Sequence, residues 1–205
     1  MRARAQALLA NDAISELVAA EQAFPQEVDV TARLAALERR AGLTAEAKAK
    51  GEAALAALQA HVAPQPTHGN VFNSSDPARR RWLRSMAFAR EAIGDPGPAA
   101  DAYAGWVNFA AGVKGSDCQT CHKDALVKPL TYRDLRDWWG GERLRSFAIA
   151  SGKTEALIAA AQERLKANAS DPQALVTLGY LLPARGDTVA ADQAWAKLGV
   201  GTPQP

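Results

Sequence analysis

Cysteine is nearly missing from this chain: two in 205 residues, both inside GSDCQTCHKD at 115–124. So few thiols exclude a disulfide-stapled scaffold and leave no second Cys pair for a four-cysteine zinc centre. Methionine is as scarce, with none after Met86. Aromatic residues make up 6%, and no stretch alternates β-branched with polar residues as a half-buried strand does. Neither sign of charge dominates, because 24 Lys and Arg against 22 Asp and Glu leave +2. That balance argues against nucleic acid or an acidic membrane surface as an obligate partner. No apolar run reaches membrane-span length. A phosphate-cradling glycine loop and a nucleophile–base constellation are missing too, so the chain carries no sign of enzyme chemistry of its own.

What is present is mostly helix former. Hydrophobic residues are 48% of the chain, alanine foremost, which suits close-packed helices. The opening MRARAQALLANDAISEL reads as an amphipathic helix, because Asn11, Asp12 and Glu16 interrupt any hydrophobic signal core.

The two cysteines and one of the three histidines form Cys118-x-x-Cys121-His122, the attachment pattern of c-type haem. Two intervening residues let one turn of chain set both sulfurs along a porphyrin edge for thioether bonds. The next residue then offers its imidazole to the iron as axial ligand. Competing readings are a zinc site, a thioredoxin-like redox pair and a bare disulfide. The redox pair lacks its strand–helix context, and the disulfide would close too small a loop to stabilise much. One covalent haem c is the expectation. Because thioether haem is attached outside the cytoplasm, the protein is expected to be periplasmic or otherwise exported. On that expectation a signal or anchor has been removed and Met1 is an expression start.

Four segments share a pattern ending in glycine: RLAALERRAG at Gly42, MAFAREAIGD at Gly94, RSFAIASGK at Gly152 and GYLLPARGD at Gly186. Gly152 and Gly186 stand 34 residues apart, the period of a helix–turn–helix repeat. Residues 172–205 resemble the tetratricopeptide repeat family. Leu175, Leu178, Gly179 and Leu182 occupy a first helix, and Ala191, Trp195 and Leu198 a second. Residues 80–113 match through Leu83, Met86, Ala87, Ala99, Tyr103 and Trp106, and residues 28–61 more loosely through Leu34, Ala35, Ala47 and Ala54. Residues 138–171 keep Leu144 but put Arg145 where a small residue belongs. The resemblance implies an all-α fold of stacked helix–turn–helix units with a haem-bearing insertion between repeats. The chain then divides into a leading helix and first hairpin (1–61), a loop (62–79), a hairpin (80–113), the haem-attachment insertion (114–137) and two hairpins (138–205).

Loop and insertion each join the second helix of one unit to the first helix of the next, so they should leave neighbouring units on one edge. That makes His68, in the loop, the first candidate for the iron's sixth ligand and His61 the second. Met86 reads as core filler. A simple class I cytochrome c, with its methionine downstream of the motif, does not fit, nor does a cytochrome c′ with its motif near the C-terminus. Arg79, Arg80, Arg81 and Arg84 form a basic run suited either to a partner or to solvent. Trp138 and Trp139 suit the core or a porphyrin face, and Tyr132 and Arg133 suit propionates. The functional expectation is electron transfer, with the repeat surface docking a redox partner protein or membrane complex. Two alternatives stand beside it: an interaction scaffold with a structural or zinc-binding CxxC, and a haem-based sensor with an open sixth position.

Overall fold

Gly94 and Gly186 show how this chain turns. Their φ angles of +88° and +82° lie in the left-handed region that costs glycine nothing, and each ends one helix just before the next begins. Gly42 and Gly152 hold the same place between helices. The protein is described here from a computed structural model covering residues 14–60, 77–112 and 131–200.

Among these residues all regular structure is helical. The helices are α1 (14–23), α2 (Val28–Arg40), α3 (Thr44–Ala60), α4 (Pro77–Ile93) and α5 (Pro96–Gly112). Then come α6 (Tyr132–Arg136), α7 (Trp139–Ala150), α8 (Thr154–Ala167), α9 (Pro172–Leu181) with a 3₁₀ turn at Leu182–Arg185, and α10 (Thr188–Lys197). Local chemistry sets several starts. Asp171 accepts from the N–H groups of Gln173 and Ala174 at 2.9 and 3.2 Å, and Pro172 follows at the first helical position, where a missing N–H costs nothing. Thr131 and Asp134 form a reciprocal capping box on α6. Two boundaries differ from the sequence reading. Helix α4 starts at Pro77, so the expected loop 62–79 ends in helix, and α6 with its buried Leu135 falls within the expected insertion 114–137.

Helices α2, α3 and α4 pack mutually, α4 packs on α5, and α9 lies between α8 and α10. Close approach is possible where a residue has no side chain. A Cβ on Gly51 would stand 2.9 Å from the Ala89 carbonyl oxygen on α4. One on Gly179 would come 2.4 Å from the Trp195 ring, and one on Gly141 1.9 Å from the ring of Tyr180. The chain does not stack evenly, however. Helix α7 packs chiefly on α5 rather than on α8, its neighbour in sequence, and α9 also reaches across to α5. The core accordingly centres on α5, whose Tyr103 and Val107 are fully buried.

Candidate functional site

Cys118, Cys121 and His122 lie outside the described residues, and so do His61 and His68. The structure instead describes the helix ends that flank them. Helices α4 and α5 are antiparallel about the turn at Gly94, which puts Pro77 and Gly112 at one end of the pair. The Trp82 indole N–H donates to the Leu58 carbonyl at 3.4 Å, tying the last turn of α3 to the start of α4. Helix α7 runs antiparallel to α5: Trp138 meets Trp106, Phe147 meets Tyr103, and Lys153 meets Asp101. Its first turn therefore lies level with Trp106 on α5, where Trp139 also meets Phe88 and Arg40. Ala60, Pro77 and Gly112, which bound 61–76 on both sides and 113–130 on one, share the first end.

An aromatic cluster packs around Trp106 of α5. Trp106 meets Trp138 edge-on at 4.7 Å between centroids and Trp139 at 5.4 Å. Trp139 stacks parallel on Phe88 at 5.8 Å yet stays 43% exposed. Of the two tryptophans singled out in the sequence, Trp138 thus packs against the core, while Trp139 stays partly open to solvent. Gly140 leaves space for the Trp138 ring, since a Cβ there would approach it to 2.6 Å. Tyr132 is half-buried, and burial pushes its phenol up; Arg133 is exposed. Met86 is half-buried. It lies on the helix strip of Trp82 and Ala89, the side of α4 toward α3.

The basic run is less open than its sequence suggests. Arg84 makes a two-pronged ion pair with Asp29, at 2.7 and 3.2 Å, and Ser85 donates to the same carboxylate at 2.8 Å. Arg80 is half-buried, and burial, together with the nearby Arg84 charge, pushes its guanidinium down.

A second arrangement gave no signal in the sequence. Glu91, whose side chain is fully buried on α4, accepts from Arg40 Nε at 2.7 Å and from an Arg40 terminal nitrogen at 2.9 Å. It also accepts from the Tyr103 hydroxyl and from Arg143. Burial alone would raise the carboxyl, but the hydrogen bonds and charge of Arg40, with Tyr103 and Arg143, outweigh it and hold Glu91 below its ordinary value. Tyr103 is pushed up by burial and by the Glu91 charge beside it. Arg40 lies over the Trp139 ring at 5.5 Å and Arg143 over Phe147 at 4.9 Å, so both guanidiniums have aromatic floors. A cavity of about 310 Å³ opens here, lined by Arg39, Arg40, Glu91, Gly94, Arg143 and Phe147.

None of the described residues is a cysteine or a histidine, and no group of three or more Cys, His, Asp or Glu able to hold a metal occurs among them. Every thiol and imidazole of the chain therefore belongs to residues 61–76 or 113–130, whose described neighbours Ala60, Pro77 and Gly112 share one helix end. No helix among the described residues is long and apolar enough to cross a membrane. No family model matches this chain, and no curated protein or solved structure does either.

Proposed function

We propose that this protein is a c-type monohaem electron carrier built on a tetratricopeptide-like helical scaffold. The observation that carries the reading is Cys118-x-x-Cys121-His122, which uses every cysteine the chain has. The donor set fits the group: two thiols for the thioether bonds, one imidazole placed directly behind them, and further imidazoles in the other segment. Supporting it is the shared helix end of Ala60, Pro77 and Gly112, from which the motif's segment starts beside the one holding His61 and His68, the candidates for sixth ligand. Attached haem would supply one-electron chemistry. The chain's own part would be to shield it with Trp138 and Trp106 and to present the surrounding surface to a redox partner. An exported location follows from thioether attachment.

The repeat architecture is part of the proposal. In its favour are the mutual packing of α2, α3 and α4 and the positive-φ glycines at four helix junctions. The packing of α7 and α9 on α5 would make the third unit a distorted one. The test is intact mass after expression with haem-maturation factors, joined to a visible spectrum. The expected result is the polypeptide plus one haem, lost in the Cys118→Ala, Cys121→Ala double variant. Haem that extracts into acidified organic solvent overturns covalent attachment. A low-spin spectrum that becomes high-spin in His68→Ala supports two imidazoles on the iron. A wild type that is already high-spin and binds carbon monoxide when reduced favours the sensor reading instead.

A further inference from the structure

We propose that the opening between α2, α4 and α7 is a binding site for a small, doubly charged oxyanion such as phosphate or a dicarboxylate. Three guanidiniums line the cavity, Arg39, Arg40 and Arg143, against a single carboxylate, Glu91. Asp95, next along from Gly94, does not line it and accepts the Gly97 N–H at 3.2 Å. Two positive charges are left over.

Glu91 has no capacity to neutralise them further. A carboxylate offers about four lone-pair sites, and Arg40 takes two, Arg143 one and Tyr103 one. Arg39 has no carboxylate partner among the described residues. Its guanidinium lies over Gly94, where a Cβ would come within 2.3 Å of a terminal nitrogen. The other two arginines retain donors, including a buried Arg143 Nε with no partner. Their side chains are 32% and 31% exposed, so an anion reaches them from solvent. Planar guanidinium forks match the paired oxygens of carboxylates and phosphates. Because Glu91 and the aromatic floors hold Arg40 and Arg143 in place, an anion would meet them already ordered.

This site is independent of the haem reading. Glu91 and Pro77 lie near opposite ends of α4, roughly 20 Å apart at the helical rise of about 1.5 Å per residue.

The experiment uses the full chain at pH 8 and constant ionic strength, with phosphate or succinate replacing chloride. Melting temperature and calorimetric titration are both read. Wild-type protein should show a saturable rise in Tm and a measurable heat of binding, with phosphate alone or with both anions, according to the geometry the forks prefer. Arg39→Gln leaves the Glu91 bonds intact, so it should fold normally and need roughly tenfold more anion, about 1.4 kcal/mol of binding. A rise that grows without saturating and is identical in Arg39→Gln would be the general effect of excluded salts. That result, or no heat of binding, overturns the site whatever the absorption spectrum shows.

Discussion

The α2–α4 stack and the α7–α10 region both hold helices in close contact, using different residues. In the first, alanines such as Ala36, Ala54 and Ala89 are buried, and charge pairs cross between helices. Asp29 binds Arg84, Glu38 binds Lys50 at 2.6 Å, and Glu91 binds Arg40. In the second, large rings sit over glycines: Tyr180 on Gly141, and Trp195 on Gly179, the two rings edge-on at 5.2 Å. Alanine faces are smooth and specify register poorly, so directional ion pairs supply the register there. A ring over a glycine sets register by shape, because sliding it one residue brings it against a side chain. The two regions should therefore fail under different insults.

The sharpest test is truncation in the aromatic region. Trp195→Ala removes a ring that is 3% exposed, and Gly179 has no side chain to move into the space. A loss of about 3–5 kcal/mol is expected, read by chemical denaturation, with little dependence on pH. A loss below about 1 kcal/mol would mean that shape is not what holds α9 to α10.

Next comes the charged region. Glu91→Gln leaves Arg40 and Arg143 without their carboxylate, an expected cost of about 3 kcal/mol, the lower end for a broken buried pair because both cations stay partly solvated. The pH dependence has a definite sign. Since the folded carboxyl is held below its ordinary value, its contribution is present above the unfolded pKa of about 4.3 and is lost as pH falls through the lower, folded one. Wild type should therefore lose more stability on acidification than Glu91→Gln. Parallel acid titrations of the two would show that this carboxylate does not carry the α2–α4 register.

The smallest effect belongs to the exposed link between α5 and the turn after α7. Lys153 and Asp101 pair at 2.5 Å, with side chains 37% and 58% exposed. Lys153→Met should change stability by less than about 0.5 kcal/mol, and less still in high salt. A larger loss would show that α7 is held to α5 through this pair rather than through their aromatic contacts.

Much of the helical framework was legible in the residues. Leu34, Ala35, Ala47, Ala54, Ala87, Ala99, Tyr103, Trp106, Leu144 and Trp195 were named as repeat positions and are buried, while Leu83, Met86 and Leu198, named with them, are half-buried. Gly42, Gly94, Gly152 and Gly186 were picked out as the ends of a recurring pattern, and each has positive φ. These are local properties: helix periodicity decides which side faces inward, and only glycine adopts left-handed backbone without cost. The attachment motif is local in the same way, since its chemistry is carried by five consecutive residues.

Glu91 is the opposite case. Within MAFAREAIGD it reads as an ordinary exposed acid on a helix, yet it is 1% exposed. Two of its partners stand 51 and 52 residues away, on α2 and α7. No window of sequence contains the group that neutralises it. Packing alone decided that α7 would rest on α5, and that choice carried Arg143 to Glu91 and Trp139 to Phe88. Local spacing sets which residues of a helix face inward, because that depends on the helical period. Which helix they face is settled only when all the interior surfaces compete for one another, and in this chain α5 takes both α7 and α9.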